Sequence, residues 1–204
     1  DTMTTLGDRH IGGRALLVTV AVLCFGLGVT AEAGQADPSG VVAFQRQADA
    51  YAFLHRRLER QLPPVEINAD PETYRRAVES IAGAIRAARP EAQQGELFNP
   101  AVQRTLRDRI AGALRAHGLT PAAVRAAERH DGVAPGTLRL RVNGLFPWAA
   151  STAMFPSILE VLPALPPELQ YRMVGRDLVL VDVHASLIVD ILPQALADEL
   201  TAGM

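Results

Sequence analysis

Apolar and polar positions divide the chain into a helical stretch followed by a β-rich one. From Val41 to about Leu62 the apolar residues Phe44, Ala48, Tyr51, Leu58 and Leu62 recur every three, four or seven positions, one stripe of an amphipathic helix. Pro63-Pro64 ends it, because proline lacks an amide donor and clashes with the preceding turn. Val65-Glu66-Ile67 then reads as a short extended piece. Three further helices start alike, with a capping side chain followed by proline, whose missing N–H is not needed in a first turn. Asp70-Pro71 opens a helix to about Arg89, with Tyr74, Val78, Ile81, Ile85 and Ala88 inward and Pro90 as its stop. Asn99-Pro100 opens the next, with Val102, Leu106, Ile110, Ala113 and Leu114 inward and Gly118 at its end. Thr120-Pro121 opens a shorter one that runs to Asp131-Gly132.

The period changes after Gly132. Val133 to Gly136 reads as loop, and Leu138, Leu140 and Val142 alternate with Arg139 and Arg141, which predicts a half-buried strand over Thr137–Val142 before a turn at Asn143-Gly144. Leu145 to Pro156 is apolar and broken by prolines, as expected of a segment lying across the core, and a short helix is expected over Pro156–Leu162. Strands are predicted at Leu169–Val174, Leu178–Val183 and Leu187–Ile191, with a last short helix from Pro193. The expected fold class is α+β: an N-terminal helical layer of three to four helices packed on a small C-terminal antiparallel β-meander.

Register decides which polar residues of that meander share a face, since a slip of one residue inverts every position. A three-residue loop His184-Ala185-Ser186 sets Val183 against Leu187 and turns Val179, Val181, Val183, Leu187, Val189 and Ile191 towards the helices. A two-residue loop would bury Asp190 there, and an unpaired buried carboxylate is expensive. By the same argument Gly175-Arg176-Asp177 is a three-residue loop that pairs Met173 with Val179 and Tyr171 with Val181. Asp182, Asp190, Arg172 and His184 then gather on the outer face as the candidate catalytic residues. Two carboxylates and an imidazole could share acid and base roles in a small hydrolase, or bind a divalent metal. The simpler reading, and the preferred one, is a solvated face on which Arg172 neutralises two aspartates, with each such pair worth about 0–1 kcal/mol. No metal ligand is therefore assigned, and no cofactor.

Other residues admit a structural reading beside a functional one. His55 lies on the apolar stripe between Tyr51 and Leu58, where a hydrogen-bonded histidine at the core edge is preferred over a ligand or a proton carrier. Arg56, Arg57, Arg60, Arg75 and Arg76 could bind an anion, but Glu59, Glu72 and Glu79 at helical spacing favour a salt-paired face. His117 and His130 fit helix C-termini. Phe146 and Trp148 are the candidate binding residues: exposed they would make a contact patch, and folded inward, as preferred, they plug helices to sheet.

Charge and cysteine content narrow the setting. All 20 basic residues are arginine; two of them and three of the 22 acidic residues precede Asp37, which leaves 18 against 19, interspersed. Such a balance excludes the basic face that nucleic acid requires. Arg9, His10 and Arg14 precede an apolar run over Ala15–Val29 that contains Cys24, the single cysteine, and small residues follow. That order is a secretory signal over residues 1–36, with cleavage near Ala33 or Ala36 and export to the periplasm or medium. If uncleaved, it would be the only membrane contact. Residues 37–204 are expected to form one domain, helical over 41–131 and β-containing over 137–192, without a thiol for disulfide, metal or nucleophile. No nucleophile elbow, zinc-protease, phosphate-loop or dinucleotide motif occurs.

The succession Tyr51-Ala-Phe-Leu-His-Arg56, Asn143-Gly-Leu-Phe-Pro-Trp148 and Leu169-Gln-Tyr-Arg-Met-Val-Gly-Arg-Asp-Leu-Val-Leu-Val-Asp182 resembles a family of uncharacterised exported bacterial proteins. The resemblance implies an exported protein and brings no functional residues with it. The last hairpin alone is similar to one in periplasmic proteins of the nickel/cobalt-homeostasis type, where a Tyr-Arg-x-Val-Gly strand meets a Leu-Val-x-Asp strand. Those proteins place glycine in the second turn, where this chain has Ala185-Ser186, so the likeness implies a hairpin design only. The expected function is thus that of a non-enzymatic exported module that contacts an envelope protein or a small ligand, with the hydrolase or metal-binding reading as the alternative.

Overall fold

A computed structural model describes residues 38–64, 70–127, 138–151 and 154–196. The segment expected to be a secretory signal, the extended piece expected at Val65–Ile67, His130 with the expected end of the fourth helix, the loop expected at 133–136 and the chain beyond Leu196 lie outside those residues. The architecture is α+β, as expected: α1 (Pro38–Glu59), α2 (Pro71–Ala88), α3 (Pro100–Ala116), α4 (Pro121–Ala127) and α5 (Pro156–Leu159) precede β1 (Leu169–Val174), β2 (Asp177–Asp182) and β3 (Leu187–Leu192). The strands form an antiparallel sheet in the order β1-β2-β3. No described helix is long and apolar enough to cross a membrane.

The caps do what their sequence pattern requires. Asp70 accepts the amides of Glu72 and Thr73, and Asn99 accepts those of Ala101 and Val102, which satisfies first-turn donors that no carbonyl can reach. At the end of α3, Gly118 takes φ +63° and Leu119 N donates to the Leu114 carbonyl, a left-handed stop that a side chain would resist. Phe44, Ala48 and Tyr51 of α1, Ile81 and Ile85 of α2 and Val102, Leu106 and Ile110 of α3 pack together with Tyr171, Met173, Leu178 and Leu180 of the sheet. Phe44 stacks on Phe98 at 5.4 Å between ring centroids and on Tyr171 at 6.4 Å. The inner stripe of α2 is shorter than expected: Tyr74 is 57% exposed.

The loops and the register depart from the sequence reading. Val174 pairs with Asp177 and Met173 with Leu178, so the first turn has two residues, not three, and Gly175 takes φ +62° in it. Asp182 pairs with Leu187, so the second turn has four residues, Val183 to Ser186. A bulge follows, in which Leu180 faces Asp190 while Val181 faces Ile188, and this resets the alternation of β3. The faces are reversed along β2 and at Ile191, whereas Tyr171, Met173, Leu187 and Val189 face the helices as expected. Leu178, Leu180, Leu187, Val189 and Leu192 meet the helices, while Val174, Val179, Val181, Ile188 and Ile191 form a second apolar cluster with Phe146, Leu138 and Leu140. Neither face is solvated along β2 and β3.

Residues 138–142 form no strand, contrary to expectation. Leu138 and Leu140 keep the predicted alternation by packing on the second cluster, but backbone pairing starts later. Asn143 N donates to Ile188 O (2.8 Å), Ile188 N to Gly144 O (2.9 Å) and Phe146 N to Ser186 O (2.8 Å). Asn143 at φ +61° turns the chain there, and Gly144 lies so near the Arg141 carbonyl that a Cβ would meet it at 2.9 Å. The helix expected over Pro156–Leu162 stops at Leu159.

Candidate functional site

The reversed face of β2 brings Asp182 to the helices instead of to solvent, and the residues it meets there belong to the stripe of α1. Tyr51, His55 and Glu59 follow one another at i, i+4 and i+8, so they line one face of the helix. The Tyr51 hydroxyl donates to Asp182 Oδ2 at 2.8 Å, and His55 Nδ1 lies 2.6 Å from the same oxygen. The other oxygen, Oδ1, accepts the amides of His184 (3.0 Å) and Ala185 (2.8 Å), so the carboxylate also ties down the β2–β3 turn. Four donors on two oxygens is the acceptor-only pattern of a carboxylate. Tyr51 is buried, and its hydroxyl is held far above its usual pKa, first by burial and then by the charge and hydrogen bond of Asp182.

With Nδ1 committed to Asp182, the reactive end of His55 is Nε2. That atom is buried and has no hydrogen-bond partner. Glu59 Oε2 lies 3.8 Å from it, and Glu59 Oε1 lies 3.7 Å from His184 Nδ1. The two imidazole rings meet edge to face at 5.2 Å between centroids. One donor atom from each of His55, Glu59 and His184 falls within 4.8 Å of the other two. Ligands at about 2.0–2.1 Å from a tetrahedral ion stand about 3.3 Å apart; the 3.8 Å and 3.7 Å approaches are made by different oxygens of Glu59, so its carboxylate must rotate, or bind through both oxygens, to bring the three residues onto one ion. Glu59 and His184 have roughly half-exposed side chains and can make that adjustment, while His55 is fixed from behind.

The surroundings favour a cation. Burial lowers the pKa of His55, but the Asp182 hydrogen bond and charge, with Glu59 and Glu168 adding to them, outweigh it and hold the pKa above the ordinary 6.5. Glu168 is itself buried, taking Arg56 at 2.8 Å on one oxygen and leaving the other without a hydrogen-bond partner. A carboxylate that holds one ring nitrogen of a histidine while the other faces further donors is the usual outer-shell arrangement of a metal site.

The structure does not gather the four catalytic candidates into one site. Asp182 and His184 belong to the centre just described, Asp182 as the positioning group and His184 as a donor. Asp190 is buried elsewhere on the same face and accepts backbone amides of Gly95, Leu97, Phe98 and Ile191, all at 2.7 Å. Burial raises its pKa against the opposing pull of those four amides. It anchors the turn before α3. Arg172 pairs with Val179, not Leu180, and lies on the opposite face of the sheet, its guanidinium over the Trp148 ring at 5.3 Å. Phe146 is buried in the second cluster, and Trp148, 40% exposed, stands edge-on to it and donates to Ser186 Oγ at 3.1 Å. Glu59 was missed by the sequence reading, which placed it on a salt-paired face; its i, i+4 spacing from His55 was the available signal.

No protein-family model, no curated protein and no solved structure matches this chain.

Proposed function

We propose that this protein is an exported metal-binding protein that holds a divalent transition-metal ion through His55 Nε2, Glu59 and His184, with Asp182 orienting His55. One observation carries the reading: a buried imidazole nitrogen without a hydrogen-bond partner, with one oxygen of the Glu59 carboxylate 3.8 Å away and a second imidazole 3.7 Å from its other oxygen. Two imidazoles and a carboxylate suit zinc, nickel or iron(II). They do not suit calcium, which takes six to eight oxygens. The export part of the reading is supported by the basic, apolar and small-residue order of the first 36 residues.

Calorimetry tests it. The wild type is expected to take up one Zn²⁺ or Ni²⁺ per chain and to ignore Ca²⁺. His184→Ala and Glu59→Gln, both exposed changes that leave the core alone, each weaken uptake by at least about tenfold. Equal uptake by wild type and both variants, or none by any, would reject the site.

A second reading, contact with an envelope protein, has in its favour the exposed Leu145 (65%) and Trp148 on the edge beside the second cluster. In a periplasmic pull-down it requires a partner retained by the wild type and lost with Trp148→Ala; identical captures by the two would sink it.

A further inference from the structure

The three-donor centre leaves a metal ion short of a full shell, and what completes the shell is legible from the wall beside it. Structural zinc sites close with four protein ligands, whereas three ligands leave a position for water or an exogenous group. His55 closes the buried side, so the open position lies on the side of Glu59 and His184. Both residues line a cavity of about 780 Å³ between the end of α1 and the first half of α2. That volume is in the range of small-ligand sites, roughly 300–1,000 Å³.

The lining has two characters. Arg60, next in the chain to Glu59, and Arg76 add cations to the lining, while Leu62, Val78 and Ile81 present hydrocarbon. Tyr74 belongs to the same wall, and its exposure now has a use: the apolar stripe of α2 feeds the core with Ile81 and Ile85 and lines the cavity with Tyr74 and Val78. A cationic centre beside an arginine, set at one end of an apolar wall, is complementary to an anion with a hydrocarbon body.

Resting on the metal-site reading above, we infer that the metal-loaded protein binds small carboxylic acids with an apolar body, the carboxylate replacing metal-bound water beside Arg60 and the hydrocarbon lying along Tyr74 and Val78. No bond other than the metal–oxygen one changes. A phosphate or an unsubstituted carboxylate would engage the ion but gain nothing from the wall.

Cobalt(II) serves as the probe, because its visible absorption reports a change of ligand in the shell. The full chain loaded with Co²⁺ is titrated with acetate, hexanoate and 4-phenylbutyrate. All three are expected to shift the absorption, with half-saturation falling by roughly tenfold or more from acetate to the longer acids as methylenes are buried. Val78→Asp is expected to keep the cobalt spectrum and lose the preference for longer acids. A normal cobalt spectrum that no acid perturbs, or the same half-saturation for all three acids on the wild type, overturns this inference and leaves the metal centre standing. Failure of the wild type to give a cobalt spectrum at all removes the metal centre, and this inference with it.

Discussion

Replacing Asp190 by alanine is expected to lower the free energy of unfolding by about 4–6 kcal/mol, and by asparagine by about half of that. The carboxylate is fully buried in the sheet and accepts four amides at 2.7 Å, three of them from the Gly95–Phe98 turn. Alanine leaves all of those donors without an acceptor, at about 1–3 kcal/mol for each that water cannot reach. Asparagine keeps one carbonyl oxygen but turns an amide N–H₂ towards two donors. The damage spreads, because the same turn presents Leu97 and Phe98 to the core and Phe98 is the stacking partner of Phe44. Single domains are stable by only about 5–15 kcal/mol, so the alanine variant is expected to lose about a third or more of its stability at 25 °C. Urea denaturation of both variants checks this; a loss under about 1 kcal/mol for Asp190→Ala would show that the carboxylate is not the anchor.

Asp182→Asn is expected to have two effects of different kinds. It costs about 3 kcal/mol, because an amide cannot accept from Tyr51, His55 and the turn together. That cost depends on pH in a fixed direction. His55 has a folded pKa above its unfolded value near 6.5, so the stability from its pairing with Asp182 is fully present below pH 6.5 and is lost as pH rises through the folded pKa. The stability gap between wild type and variant should therefore be widest at low pH and narrow above neutrality. Metal binding runs the other way. An ion must displace the proton from Nε2, so wild-type affinity rises across the same interval, and above it the variant is weaker by about 10–100-fold because His55 has lost its orienting partner. Denaturation and calorimetry from pH 5.5 to 8.5 separate the two. A gap that does not change with pH, together with unchanged affinity, would reduce Asp182 to a turn-forming residue.

The helices were legible because their signals are local. A capping residue and a proline mark a start within two positions, and the stripe of Phe44, Ala48 and Tyr51 needs only the helical period. The strands were legible as runs of branched residues, and Tyr171, Met173, Leu187 and Val189 face the helices as expected, but the faces of β2 and of Asp190 were not legible. Asp182 and Asp190 were expected outward because a buried carboxylate without a partner is costly, yet both are buried with partners: local amides of the turn and of Ile191, and from far away in the sequence Tyr51 and His55 for one, the amides of Gly95, Leu97 and Phe98 for the other. Strict alternation failed for a second reason. The bulge between Leu180 and Val181 lets Val189 and Asp190 both turn towards the helices, and no residue there announces it. For the site, the readable part was the His55–Glu59 spacing on one helix. The unreadable part was that a turn residue more than a hundred positions later, His184, would come to rest beside them.

That separation has a kinetic meaning. The first described helix, α1, carries the imidazole that must meet Asp182, 127 positions further on, and its tyrosine must wait 131. Contacts of such range form slowly and late, after the shorter loops have closed. Phe44 and Ala48 can pack on α2 and α3 before β2 is available, but the Tyr51–His55 end of α1 lacks its carboxylate until then, so the centre around Asp182 is the part that closes late.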